Sequence, residues 1–242
     1  MTVRIAAVGD VHVGTDTHGR LRASYAELSS CADMFLIAGD LTRVGSEDEA
    51  ACVVDELADV GVPVIAVLGN HDHHADQTDA VIERLERAGV RVLEGANTVV
   101  DVDGVTVGIA GVKGFGGGFA GRSGSDFGEP EMKAFVRHTI DAARRLERGL
   151  AELSTDVRIA LLHYSPVPDT LVGEPLEIYP FLGSYLLAEA IDRAGADLVL
   201  HGHAHRGSER GLTPGGVRVR NVAQPVLGAP FRVYTLQPAF AS

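Results

Sequence analysis

The sequence predicts an α/β fold, and two observations carry that prediction. Three short apolar runs, Val3 to Val8, Met34 to Ala38 and Val64 to Leu68, each end on a glycine followed by an acid or an amide: Gly9-Asp10, Gly39-Asp40 and Gly69-Asn70. Between these runs lie segments whose apolar residues recur at helical spacing. Continuous apolar runs of this length suit strands buried on both faces. A repeated strand–loop–helix pattern with polar residues at the strand C-termini puts them where open α/β sheets place their sites. With 242 residues and no composition shift, internal repeat or charge run, a single domain over residues 1–242 is expected.

The elements follow in order. Val3 to Val8 is the first strand, since its apolar run is too short for the core of a secretory signal. A helix is expected over Leu21 to Ser30, and Met34 to Ala38 is the second strand. Glu47 to Val60 has helical spacing through Ala50, Val53, Val54 and Leu57, with Ser46 placed to cap its N-terminus and Gly61 beyond its end. Val64 to Leu68 is the third strand, and Asp76 to Ala88 is again helical, with Gly89 after it. Val90 to Leu93 and Thr98 to Val102 read as short strands, and Asp103-Gly104 as a hairpin turn into Val105 to Ala110. Gly111 to Gly128 is glycine-rich with Phe115, Phe119 and Phe127 scattered through it. A long helix is expected from Glu129 to Leu153, with Pro130 suited to its first turn. Val157 to Leu162 is a strand ending at His163, followed by a proline-containing loop, Tyr164 to Gly183. A helix over Ser184 to Ala194, a strand over Asp197 to Leu200 and closing strands at Val217 to Val222 and Phe231 to Leu236 complete the chain.

Composition bounds the function classes. Acids exceed bases, 33 to 21, for a formal net charge of −12, so a global basic footprint for nucleic acid or for an anionic membrane is absent. No apolar run approaches the roughly 20 residues that cross a bilayer. Cys31 and Cys52 make neither a metal nor a redox spacing, and two free thiols fit a reducing cytoplasm. The chain nonetheless carries 10 His, and many of them fall at strand ends.

Collected along the chain, the polar residues at those ends are Asp10 and His12, Asp40, then Asn70, His71 and Asp72, then His163, and finally His203 and His205. Strand ends of a parallel sheet converge on one edge, so five distant segments can meet there. Mixed carboxylate, amide and imidazole donors suit manganese, iron or zinc and not a soft thiolate site. There are too many donors for one catalytic ion with an open position, and the number suits two ions sharing a carboxylate.

The ordered motifs Gly9-Asp10-Val11-His12, Gly39-Asp40, Gly69-Asn70-His71-Asp72, His163 and Gly202-His203-Ala204-His205 closely resemble those of the calcineurin-like metallophosphoesterase superfamily. Each motif alone is weak; five in order, each after an apolar strand, are specific. The resemblance implies a four-layer α/β/β/α sandwich and two divalent metal ions, Mn, Fe or Zn. It implies one metal held by Asp10, His12, Asp40 and His205, and the other by Asp40, Asn70, His163 and His203. A bridging hydroxide between the two would attack phosphorus. His71 matches the catalytic residue that hydrogen-bonds the phosphoryl group and protonates the leaving oxygen, with Asn70 also at the substrate.

One departure bears on substrate. In the protein-phosphatase branch the second motif continues Gly-Asp-x-x-Asp-Arg-Gly, and its second Asp orients the catalytic His. Here the segment reads Gly39-Asp40-Leu41-Thr42-Arg43-Val44-Gly45, which leaves the partner of His71 unidentified and argues against phosphoprotein. The expected function is hydrolysis of a phosphodiester or phosphomonoester of a small molecule. A cyclic-nucleotide phosphodiesterase or a nuclease of the same family is the alternative, and a non-catalytic scaffold of this fold would be expected to lack ligands that are all present here.

The remaining candidates have bland readings beside the functional ones. Arg43, Lys113 and Arg122 are cations available to a phosphate. His201 is read first as packing or capping, His73 and His74 as a solvated loop, and His18 and His138 as surface. Segment 111–128 is either a lid or an exposed loop, and loop 164–183 borders the site if His163 binds metal. Leu176, Ile178, Tyr179 and Phe181 either shape substrate choice, pack on the core or face a second copy.

Overall fold

The computed structural model describes residues 2–238. Two sheets pack face to face between two layers of helices. The first sheet holds β1 (Val3–Val8), β2 (Met34–Ala38), β3 (Val64–Val67), β4 (Arg91–Val92) and the late strand Arg232–Leu236, in the order late strand, β1, β2, β3, β4. The second sheet uses β5 (Ala96–Val102), β6 (Val105–Val112), β9 (Val157–Leu162), β10 (Leu198–His201), β11 (Arg210–Leu212) and β12 (Arg218–Asn221), in the order β11-β12-β10-β9-β6-β5. The late strand is β13, and Gly118–Phe119 and Arg122–Ser123 form the small hairpin β7–β8. Strands β1, β2, β3 and β4 are parallel, as are β6, β9, β10 and β12, so their C-terminal ends share one edge.

Side-chain alternation builds the layers. Ile109, Val157, Ile159, Leu161, Leu198 and Leu200 face the first sheet and share one core with Ile5, Phe35, Leu36 and Ile65. The alternate residues Ala110, Val112, Ala160, Leu162 and Val199 form an outer core with Leu146 and Leu150 of α5 (Pro130–Ala151) and Leu187 and Ile191 of α7 (Tyr185–Ala194). A period of two on both faces of a buried sheet is the sequence cause of two cores. On the far side, α1 (Arg22–Tyr25), α2 (Leu28–Cys31), α3 (Glu47–Leu57) and α4 (Thr78–Arg87) cover the first sheet. Ser46 caps α3 by accepting the Glu49 N–H at 3.2 Å, and the Glu49 carboxylate reaches back to the Val44 N–H at 2.7 Å.

Several expectations are corrected. The helix over 21–30 is two short helices, α1 and α2, broken at Ala26 and Glu27. Segment 111–128 is not structureless: β6 extends into it to Val112, and the β7–β8 hairpin follows. Phe119 is buried there, whereas Phe127 is 81% exposed. Loop 164–183 contains turns at Pro168–Leu171 and Leu176–Ile178 and the single-turn helix α6 (Tyr179–Leu182). Strand β11 and the short helix α8 (Gln224–Leu227) were not legible from hydropathy, being three and four residues long.

Candidate metal centre

The shared edge gathers the motifs. β1 delivers Asp10 and His12, β2 delivers Asp40, β3 delivers Asn70 and His71, β9 delivers His163, and β10 leads to His203 and His205. Main-chain bonds tie these ends across both sheets: the Asp10 N–H to Gly39 O at 2.9 Å, the His12 N–H to Asp40 O at 3.1 Å and the Gly202 N–H to His163 O at 3.1 Å. Asp10, His12, Asp40 and His203 all have left-handed backbone, with φ of 58°, 44°, 52° and 69°. Such a conformation costs a non-glycine residue about 1 kcal/mol or more and gathers at functional sites. The motif glycines have a second cause: a Cβ at Gly69 would overlap Asp40 Oδ1, and one at Gly202 would overlap Asp10 Oδ2.

Two groups of donors result. Asp10, His12, Asp40 and His205 offer ligand atoms within 4.8 Å of one another, and so do Asp40, His163 and His203. Asn70 joins the second group through its Oδ1, 3.0 Å from His163 Nε2. Asp40 belongs to both.

The donor chemistry fits cations. His163 Nδ1 lies 2.9 Å from the Ala38 carbonyl, which can only accept, so Nδ1 carries the proton. The bare Nε2 then faces two further acceptors, Asn70 Oδ1 and, at 3.5 Å, Asp40 Oδ1. His12 Nε2 is buried with no hydrogen-bond partner and lies 3.7 Å from Asp40 Oδ2. Lone pairs and carboxylates turned on one another inside a protein are unfavourable unless a cation sits among them. His203 Nε2 lies 3.3 Å from the Phe181 carbonyl, which holds that proton and leaves Nδ1 as the donor atom.

The electrostatics agree. Burial, reinforced by the charge of Asp10, raises the Asp40 carboxyl above its ordinary range. Burial pushes Asp10 the same way, but the hydrogen bond from His205 Nε2 at 2.8 Å and the nearby imidazoles bring it below its usual value. That bond in turn raises His205. Burial holds His12 down at about 4 and His203 at about 3. Neutral imidazoles at His12 and His203 are ready to bind a divalent ion, whereas Asp40 and His205 would release protons on binding one.

His71 sits against the first group, its ring centre 4.5 Å from that of His12. Its main-chain N–H donates to Asp40 Oδ1 at 2.8 Å, and its Nδ1 donates to the carbonyl of Arg43 at 2.7 Å. The partner of His71 is thus a backbone carbonyl of the segment where another branch has a carboxylate. Asp72 faces elsewhere. It is fully buried and accepts from Thr42 N and Oγ1 at 2.8 and 2.6 Å, Gly69 N at 2.8 Å and Leu41 N at 3.2 Å. It ties the β2 loop to the β3 loop, a role no sequence pattern signals.

Other candidates scatter. The Arg43 side chain pairs with Asp16 at 2.7 Å. Arg122 is exposed on β8 and lines a cavity of 750 Å³ with Phe119, Tyr179 and Tyr185, a cavity none of the metal-ligand candidates lines. His201 is buried and held at both nitrogens, by Gly202 O and Thr170 Oγ1, each at 2.8 Å. His74 is exposed, and His18 pairs with Asp55 at the surface. Among the described residues no helix is long and apolar enough to cross a membrane.

Two sandwiched sheets thus bring Asp, Asn and His side chains that could hold metal together at one edge. The chain belongs to the calcineurin-like phosphoesterase family, whose profile matches residues 3–207. A curated relative, a probable cyclic nucleotide phosphodiesterase from Synechococcus sp., is 32% identical over 82 residues, which are 30% of this chain and 32% of that protein. The match thus spans about a third of that relative. Among solved structures, the phosphopantetheinyl hydrolase of Mycobacterium tuberculosis aligns with a TM-score of 0.68 at 16% identity, over 90% of this chain and 88% of that one. A putative 5'-nucleotidase from Staphylococcus aureus aligns with a TM-score of 0.58 at 17% identity, over 91% of this chain and 48% of that one. These likenesses establish the shared fold.

Proposed function

We propose that the protein hydrolyses a phosphodiester of a small molecule at a centre of two divalent cations that share Asp40. The observation that carries this reading is the pair of donor groups meeting at that one buried carboxylate. Asp10, His12, Asp40 and His205 would hold one cation, and Asp40, Asn70, His163 and His203 the other. Bound there, the cations supply Lewis acidity to the phosphoryl oxygens and a water acidic enough to attack near neutral pH. The chain's own residues do the rest. His71, aimed by the Arg43 carbonyl, hydrogen-bonds the phosphoryl group through Nε2 and passes a proton to the leaving oxygen. The carbonyls of Ala38 and Phe181 fix the tautomers of His163 and His203. Asp72 keeps Asp40 and His71 in register by binding the loops that carry them.

A small diester is favoured over phosphoprotein because Arg43 stands where the protein-phosphatase branch has its orienting acid. The named relative makes cyclic nucleotides the first diesters to try, beside phosphomonoesters. Segments 111–128 and 164–183 shape substrate choice, since the latter places the Phe181 carbonyl on His203. The test is turnover of bis(p-nitrophenyl) phosphate and of cyclic nucleotides by manganese-loaded protein. The wild type is expected to exceed an Asp40→Ala, His71→Ala double variant by orders of magnitude; equal rates would refute the reading.

A further inference from the structure

In the parallel pair β6–β9, Val112 lies level with Leu162, and both side chains belong to the outer core under α5 and α7. Alternation along each strand therefore sets the next residues, Lys113 and His163, side by side and toward the opposite sheet. His163 does point there, reaching Ala38 and Asp40. The Lys113 carbonyl accepts the N–H groups of both His163 and Tyr164 at 3.0 Å, which holds the two strand ends together. Lys113 thus continues the row of site residues one strand beyond the second donor group.

Its ammonium lies 5.6 Å from the centre of the Phe115 ring and, among the described residues, makes no salt bridge and no hydrogen bond. The charges acting on it from the other sheet are those of Glu94, Asp40 and Asp72. Glu94 follows β4 and already accepts the Leu68 N–H at 3.3 Å. His73 stands on the turn that carries His71. Its Nδ1 lies 3.1 Å from the Thr78 hydroxyl, and its Nε2 is buried without a partner.

We propose that Lys113 receives a second anionic group of the substrate, a carboxylate or phosphate beyond the one that reacts. The claim rests on the phosphoesterase reading for where the reacting phosphoryl group lies. An ammonium without an acceptor in a half-buried place is costly, and a bound anion would supply one. The metals would bind any phosphate; Lys113 would choose among phosphates by what else they carry.

The experiment is calorimetric titration of the manganese-loaded protein with glycerol 3-phosphate and with 3-phosphoglycerate, which differ by a carboxylate. The wild type is expected to bind 3-phosphoglycerate about tenfold tighter, the scale of one charge-assisted hydrogen bond. Lys113→Met should bring the two within about twofold, and Lys113→Arg should keep most of the preference. Equal wild-type affinities, or a preference that survives in Lys113→Met, would overturn the proposal. If Lys113→Met does not fold, Lys113→Gln carries the same comparison. Because binding is read and not turnover, a preference without hydrolysis of bis(p-nitrophenyl) phosphate would sink the phosphoesterase reading alone. Hydrolysis without a preference would sink this inference alone.

Discussion

The carbonyl oxygen of Arg43 accepts a hydrogen bond from His71 Nδ1 at 2.7 Å. The orientation of the His71 imidazole, which we propose as catalytic, is therefore built into the backbone of the segment that carries Asp40. That segment is itself pinned, with the Arg43 N–H on Val13 O at 3.1 Å and its side chain on Asp16.

His71 and the Arg43 side chain should separate cleanly in mutants. His71→Ala should keep its metals and lose about 10²- to 10⁴-fold in kcat, the usual worth of a general acid. Arg43→Ala removes only an exposed, solvent-screened ion pair and leaves the carbonyl, so kcat should fall by a few-fold at most. Metal content measured alongside kcat decides this. If His71→Ala released both ions, its place as a non-ligand would be wrong.

The Thr42–Asp72 clasp should be a stability element. Thr42→Val removes the 2.6 Å hydroxyl donor from a buried carboxylate and should cost about 1–3 kcal/mol, read as a lower urea midpoint at unchanged slope. An unchanged midpoint would show that the clasp holds nothing.

Acid should destabilise the metal-free protein through buried imidazoles. Burial holds His201 at about 4, while the unfolded chain titrates near 6.5. Between those values the unfolded state binds the extra proton. Stability is complete above about pH 6.5 and is lost as pH falls toward 4, by about 3 kcal/mol from this residue. His12 and His203 add in the same direction. Denaturant midpoints from pH 7 to pH 4 should fall in the wild type and fall less in His201→Gln.

Most of the candidate site was legible because Asp, Asn and His seldom follow apolar strands by accident. Asp10, Asp40, Asn70, His163, His203 and His205 announce themselves in this way, and parallel pairing does the rest. What escaped was carried by main chain or by register. The carbonyls of Ala38, Arg43 and Phe181 have no letter of their own. Asp72 follows His71 in the chain, yet the turn at His71–His73 sends its carboxylate to Thr42 and Gly69. Arg43 and Arg122 were attractive as cations, and only the fold shows that one side chain is tied to Asp16 and the other lies on a separate cavity. Among the elements, alternating strands and capped helices could be read, while three-residue β11 and the split of α1 from α2 depend on packing and leave no period.

The central claim is that Asp40 is shared by two cations, and titration of metal-free protein with manganese tests it most directly. The wild type should bind two ions per chain, and Asp40→Asn should lose the second and weaken the first. One ion per chain in the wild type, or two at unchanged affinity in Asp40→Asn, would contradict it.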